Sequence, residues 1–173
     1  DFGLTPDEGF YWDNGVKERG EYGPYLQSKR LDVYRQHAEE LVAKQAAYYC
    51  FCTSARLEQL RKEQEAKKLP PKYDKQCLQL SADEVAQKLK NNEPHVIRLN
   101  VPAGQKIRFT DVVHGEIVVL SNDLDDQILL KSNGFPTYHL SVVVDDYLMK
   151  ISHVIRGEEW IPSTPKHILL YSA

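Results

Sequence analysis

Two cysteines lie two residues apart at Cys50 and Cys52, and the third cysteine of the chain follows at Cys77. Side chains at positions i and i+2 of a strand point to the same face, so the thiols of Cys50 and Cys52 can bind one metal ion. Tetrahedral zinc binds thiolates but needs four ligands, and three cysteines cannot form a closed set of disulfides. Two interpretations therefore stay open: a structural zinc site, or three thiols kept reduced.

Arg156 is the second group that can do chemistry. It directly follows the apolar segment 151–155, which we predict to be a buried strand. Ligands of open α/β sheets bind beyond the carboxyl ends of the strands, and a guanidinium there can hold a carboxylate with two parallel hydrogen bonds. The alternative is a structural ion pair between Arg156 and Asp145 or Asp146.

Basic side chains concentrate in one segment of a chain whose net charge is −3. The segment 56–77 carries seven basic and four acidic residues, a local charge of +3. A basic face on an acidic protein can meet a phosphate backbone, and the candidates for this contact are Arg56, Lys67, Lys68 and Lys72. A solvated helix face is the other interpretation.

Length and composition limit the class of protein. The chain has 173 residues, of which 42% are hydrophobic and 27% charged, so it suits one large or two small globular domains rather than a disordered segment. No apolar run approaches the roughly 20 residues that span a bilayer, and no secretory leader is visible. We therefore expect no membrane partner and a cytoplasmic location, with a mitochondrial or plastid location left open.

The first half of the sequence predicts helices separated by clear stops. Frequent glycines and aromatic residues over 1–28 predict a loop. Apolar residues at helical spacing predict a helix over 29–44, and Thr53 or Ser54 can cap a charged helix that runs to about residue 68. A short strand is predicted over 47–51, and a capping box at residues 81–84 predicts a helix that ends near residues 91–92.

From His95 onward the apolar period changes to two residues. This alternation predicts short strands over 96–99, 106–109, 116–120 and 127–131. The last third predicts a helix over 138–149, the buried strand 151–155 and a helix over 164–172. A buried strand followed by a helix is the unit of a parallel α/β sheet, so we expect an α/β fold with a small mixed module in the middle.

Several motifs resemble those of bacterial and organellar glutamyl-tRNA synthetases, which are class I aminoacyl-tRNA synthetases. They follow one another in the order of that family and cover most of the chain. The matching segments are 23–31 (GPYLQSKRL), 47–53 (AYYCFCT), 134–140 (GFPTYHL), 153–160 (HVIRGEEW) and 163–167 (STPKH).

The resemblance implies a fold and an organisation. It implies an α/β fold: part of a Rossmann-like nucleotide-binding domain with an inserted mixed α/β connective domain that binds the tRNA acceptor end. The expected parts are 1–28 and 131–173 for the Rossmann-like domain and 29–130 for the insertion. The chain starts at Asp1 rather than Met and stops at Ala173 within an apolar stretch, so we expect both ends to be internal to a longer protein.

The resemblance also implies an activity: a glutamate–tRNA ligase that activates L-glutamate with ATP and Mg²⁺ and transfers it to the 3′ end of tRNA(Glu), acting as a monomer. The family's His-Ile-Gly-His-type motif would precede Asp1 and its Lys-Met-Ser-Lys-Ser-type loop would follow Ala173. We therefore assign no catalytic residue and expect the chain to be inactive alone. The alternatives are a paralogue that glutamylates a modified base of tRNA(Asp), and an RNA-binding module without catalysis.

Site residues follow from the resemblance position by position. Glutamate would be bound by Tyr138, His139, Leu140, Ser141, Val142 and Arg156. Val142 stands where some members carry Asn, so only a backbone or shape contact is implied there. Glu159 would lie near ATP.

The family's zinc site would use the three cysteines. Some members add a His two residues after the last cysteine, but Gln79 stands there. The implied ligands are therefore Cys50, Cys52 and Cys77, with Tyr73 as the candidate for the fourth.

Overall fold

The helices of the protein form where apolar residues recur at helical spacing and a capping group is present. The structure, a computed structural model, describes residues 6–173. Its α-helices are α1 (Leu31–Ala43), α2 (Ser54–Ala66), α3 (Ala82–Lys90), α4 (Tyr138–Leu148) and α5 (Thr164–Tyr171). The predicted helices are thus confirmed to within a few residues at each end. None of the described helices is long and apolar enough to cross a membrane.

Two helix N-caps that the sequence predicted are present in the structure. The side chain of Thr53 accepts a hydrogen bond from the backbone N–H of Arg56 and starts α2. Ser81 and Glu84 form the predicted capping box, in which each side chain binds the other residue's backbone N–H, and this box starts α3.

The described strands form three separate antiparallel sheets. Their bounds are β1 (Gly9–Trp12), β2 (Val16–Arg19), β3 (Ala47–Cys50), β4 (Val96–Leu99), β5 (Lys106–Asp111), β6 (Gly115–Leu120) and β7 (Ile128–Leu130). The central sheet has the order β3-β4-β7, whereas β1-β2 and β5-β6 are hairpins. The predicted strands over 47–51, 96–99, 106–109, 116–120 and 127–131 are confirmed.

Two predictions of local structure are wrong. The loop predicted over 1–28 contains the hairpin β1-β2, whose turn has Asn14 and Gly15 at positive φ; residues 1–5 of that prediction lie outside the described residues. Segment 151–155 forms no strand. No strand among residues 6–173 pairs with its backbone, and its apolar side chains are exposed, including Ile155 at 95%.

One hydrophobic core joins the central sheet to three helices. Helices α1 and α4 pack on the sheet, and α5 packs on α4. The fully buried members of the core include Tyr34 and Ala38 of α1, Leu129 of β7 and Leu140 of α4. Residues from the predicted insertion 29–130 and from segment 131–173 share this core, and the division into these parts stays a prediction.

A buried carboxylate connects α1 to α4 across 115 residues of sequence. Asp145 of α4 accepts hydrogen bonds from Arg30 Nε (2.8 Å), from the Tyr34 hydroxyl (2.9 Å) and from Gln27 Nε2 (3.2 Å). Burial and the bond to Asp145 raise the pKa of Tyr34, so the phenol keeps the proton that it donates. A charge removed from water is stable only when it is paired in this way.

Removing the carboxylate should therefore destabilise the fold. Asp145→Ala leaves the buried Arg30 guanidinium without its counter-charge, which we expect to lower the free energy of unfolding by about 3–5 kcal/mol. Urea denaturation of the chain measures this change. Glu58→Ala is the control, because the ion pair of Glu58 with Lys62 is exposed and should contribute little. Equal stability of the two variants would contradict the role of Asp145.

Candidate functional site

The first turn of α4 presents Tyr138 and His139 next to Arg156. The hydroxyl of Thr137 donates to the carbonyl of Ile128 (2.7 Å), and the backbone N–H of Thr137 donates to Leu129 (2.8 Å). These bonds fix the start of the helix to strand β7. Arg156 Nη1 then donates to the Tyr138 hydroxyl at 2.8 Å, so two of the predicted glutamate contacts lie together.

His167 and Trp160 complete this cluster, although sequence reasoning assigned them no role. His167 of α5 is 3% exposed. Its Nδ1 lies 3.3 Å from Arg156 Nη2, and its Nε2 lies 3.0 Å from Nδ1 of His139. The ring of Trp160 lies 4.9 Å from that of Tyr138. Both residues belong to family-like motifs, which is the only signal that the sequence carried for them.

Both histidines of the cluster are neutral near pH 7. Burial, with the nearby charges of Lys166 and Arg156, lowers the pKa of His139 to about 4. Burial lowers the pKa of His167 to about 3, with contributions from Arg156, His139 and Lys166. The positive charge in contact with Tyr138 is therefore that of the Arg156 guanidinium.

The other predicted glutamate contacts point elsewhere. The side chains of Leu140 and Ser141 are buried beneath α4, and Val142 packs against the same core. The backbone N–H of Ser141 already donates to the Thr137 carbonyl at 3.1 Å, so it is not available to a ligand. Glu159, the predicted ATP contact, is exposed in the 3-10 turn Glu158–Ser163.

The three cysteines and Tyr73 form a second cluster at the end of β3, to which Cys50 belongs. The sulfur atoms of Cys50, Cys52 and Cys77 all lie within 4.8 Å of one another. The Tyr73 hydroxyl is 3.4 Å from the sulfur of Cys50 and 3.2 Å from that of Cys52. Phe51 lies between the two cysteines, and its backbone N–H donates to the sulfur of Cys77 at 3.4 Å.

The spacing of the three sulfurs is compatible with a tetrahedral zinc ion, for which the Tyr73 hydroxyl is the nearby fourth donor. A Zn–S bond of about 2.3 Å sets neighbouring sulfurs roughly 3.8 Å apart in a tetrahedron, and the sulfurs of Cys52 and Cys77 are 3.5 Å apart. Two cations lie beside the donors. Arg56 Nη1 donates to the Cys52 sulfur at 3.5 Å, and the Arg98 guanidinium lies 4.2 Å from the centre of the Tyr73 ring.

The thiols differ in how readily they ionise. Burial opposes ionisation of Cys50, but hydrogen bonds with Tyr73, the Cys52 backbone and Arg98 together bring its pKa below the ordinary value. Burial and the neighbouring Cys77 and Cys50 raise the pKa of Cys52 to about 11, despite its bond with Tyr73. A cation among the sulfurs would favour the thiolate form of each.

The predicted tRNA-binding cations occupy different environments. Arg56 forms an ion pair with Asp74, and Lys72 donates to the backbone carbonyl of Asn122. Lys67 and Lys68 follow α2 and are exposed, and within residues 6–173 neither forms an ion pair.

Comparison with known proteins identifies the family. The family model described as tRNA synthetases class I (E and Q), catalytic domain, matches residues 7–173. The chain belongs to this family. Its predicted fold class, an α/β class I synthetase catalytic region, is thereby confirmed, as is the resemblance to glutamyl-tRNA synthetases.

Similar proteins match nearly the whole chain but are much longer. The glutamate–tRNA ligase of Clostridioides difficile (strain 630) is 53% identical over 173 residues, which is 99% of this chain and 35% of that protein. The glutamate–tRNA ligase of Fusobacterium nucleatum is 53% identical over 162 residues, 94% of this chain and 32% of that protein. The chain thus spans about a third of the length of these curated relatives.

A solved structure agrees with this assignment. The crystal structure of a glutamate tRNA ligase from Elizabethkingia meningosepticum in complex with its amino acid has a TM-score of 0.83 and 40% sequence identity. The match covers 88% of this chain and 32% of that one.

Proposed function

We propose that the chain is the part of a glutamate–tRNA ligase that holds L-glutamate and the acceptor end of tRNA(Glu). The observation that carries the proposal is the Arg156 guanidinium, hydrogen-bonded to Tyr138 at the start of α4. The names of the relatives, glutamate–tRNA ligases at about half identity, support the same substrates. A monomeric state and a cytoplasmic location stay predictions.

The start of α4 suits a carboxylate. The N–H groups of the first turn of a helix have no partner within the helix, and they carry a partial positive charge. The Thr137 side chain does not cap these groups, because its hydroxyl bonds to β7 instead. Arg156 adds a full positive charge, and the guanidinium has further N–H groups beyond those directed at Tyr138 and His167.

The chemistry of activation indicates which carboxylate Arg156 holds. The α-carboxylate of glutamate must attack the α-phosphate of ATP, and a tight ion pair would make it a poorer nucleophile. We therefore assign Arg156 to the side-chain carboxylate. In the proposal, Glu159 lies near the ATP, which enters with Mg²⁺, while the residues of this chain bind and orient glutamate.

Loss of Arg156 should remove this binding. In the full-length protein, Arg156→Ala should lower kcat/KM for glutamate by the equivalent of about 2–5 kcal/mol, the cost of removing one member of a buried charge pair. Arg156→Lys should also lower kcat/KM for glutamate, because the ammonium of lysine cannot form the two parallel hydrogen bonds of a planar guanidinium. The assay is glutamate-dependent pyrophosphate exchange with tRNA supplied.

Lys17→Ala is the control for these variants, because Lys17 is exposed in the hairpin β1-β2 and lies outside segment 29–130. A near-normal glutamate KM in Arg156→Ala would make Arg156 a structural residue.

Segment 29–130 is proposed to contact the acceptor end of tRNA through the basic residues around α2. Replacing Lys67, Lys68 and Lys72 together with Ala should weaken tRNA binding and flatten its salt dependence, by about 0.7–0.9 in the log–log slope for each phosphate that the variant no longer neutralises. Filter binding at several salt concentrations measures this slope. Lys17→Ala is the control, since Lys17 lies in the hairpin β1-β2. An unchanged slope in the triple variant would contradict this placement.

We also propose a structural zinc ion bound by Cys50, Cys52 and Cys77, with Tyr73 as fourth ligand. When bound, zinc supplies a cross-link between β3 and the turn Gln76–Gln79. Arg56 and Arg98 would offset the negative charge that three thiolates and a phenolate leave on a zinc site.

Metal analysis of protein purified without chelator should find about one zinc per chain, since the four donors form a single tetrahedral site. Tyr73→Phe should weaken zinc retention, whereas Tyr49→Phe should not, because Tyr49 lies on the opposite face of β3. A metal-free protein whose melting temperature does not respond to added zinc would rule the site out.

A further inference from the structure

Three side chains from different segments form a hydrogen-bonded chain behind the proposed glutamate site. Arg156 Nη2 is 3.3 Å from Nδ1 of His167, and Nε2 of His167 is 3.0 Å from Nδ1 of His139. His167 is 3% exposed and His139 is half-buried. The buried His167 ring therefore links two half-buried side chains, Arg156 and His139, both of which belong to the proposed glutamate site.

The chemistry of these groups determines which ring nitrogen carries the proton in His167 and in His139. Arginine has only donors, so Nδ1 of His167 must accept from Arg156. A neutral imidazole carries one N–H, which in His167 must then be on Nε2. That N–H donates to Nδ1 of His139, so the proton of His139 is also on Nε2. A second proton on His167 would lie on Nδ1, where its N–H would face the N–H groups of the guanidinium and could not accept from them.

A neutral acceptor suits this position better than a charged one. A carboxylate beside Arg156 would bind it more strongly, but it would also cancel the charge that a substrate carboxylate needs. An imidazole nitrogen can orient the guanidinium and leave its charge available. With the Tyr138 hydroxyl 2.8 Å from Nη1, the two ends of the guanidinium plane are both held.

We propose that His167 is a positioning residue that, as the neutral acceptor for Arg156, fixes the guanidinium plane for the carboxylate of glutamate. The proposal rests on the function proposed above, in which Arg156 binds glutamate. His139 acts through His167: its Nδ1 accepts from Nε2 of His167 and so holds the His167 ring with Nδ1 toward Arg156.

Three replacements of similar size test this role in the full-length protein. His167→Asn keeps an acceptor oxygen near the place of Nδ1, His167→Leu removes the acceptor, and His167→Asp adds a charge. Glutamate KM should rise about tenfold or more in the Leu variant, the effect of losing a hydrogen bond to a charged group. Glutamate KM should rise further in the Asp variant, and it should rise by no more than about threefold in the Asn variant. The KM for ATP should stay unchanged in the Leu and Asn variants.

A merely structural role would give a different order. Leu suits a buried site better than Asn does, so thermal midpoints should rank the Leu variant at or above the Asn variant. The proposal requires the opposite ranking for glutamate KM. Equal KM values for the Asn and Leu variants, or a lower KM for Leu, would overturn it.

The proton assignment has a test that does not depend on glutamate. Long-range ¹H–¹⁵N spectra of histidine-labelled wild-type protein at pH 7 should show His167 and His139 as neutral rings with Nδ1 unprotonated. A proton on Nδ1 of His167 would overturn the proposal. If Arg156→Ala left glutamate binding unchanged, the proposed function would fail, and with it the role of His167 toward glutamate, while these spectra would still decide the hydrogen-bonded chain.

Discussion

The buried carboxylate of Asp145 is the interaction on which the rest of the structure depends. It connects the start of α1, through Arg30 and Tyr34, to the C-terminal half of α4. The other end of α4 is tied to β7 through Thr137. Because both ends of α4 are held, the first turn has one position relative to the sheet, and that position sets where Tyr138 can meet Arg156.

Strand β3 connects the two clusters of the protein. Ala47 belongs to the core beneath α1 and α4, whereas Cys50 belongs to the cluster with Tyr73 and Cys77. The proposed zinc site and the proposed glutamate site thus share the sheet β3-β4-β7 as a common support.

The sequence could predict what local chemistry determines. Helices were predictable from apolar spacing and from caps at Thr53 and Ser81. The meeting of Cys50 and Cys52 was expected from strand alternation, but β3 ends at Cys50, so Cys52 lies beyond the strand. The prediction of a strand over 151–155 was wrong. Its β-branched residues favour an extended chain, but a strand also needs a partner strand to pair with. The contacts of His167 depend on how α4 packs on α5, which no local pattern contains.

The central claim is that the first turn of α4 and the segment around Arg156 bind L-glutamate. Hydrogen–deuterium exchange of the full-length protein, with and without L-glutamate, tests it most directly. We expect slower exchange over residues 138–142 and 156–160 when glutamate is present, and no change in the hairpin β5-β6. Unchanged exchange at the start of α4 under saturating glutamate would contradict the claim.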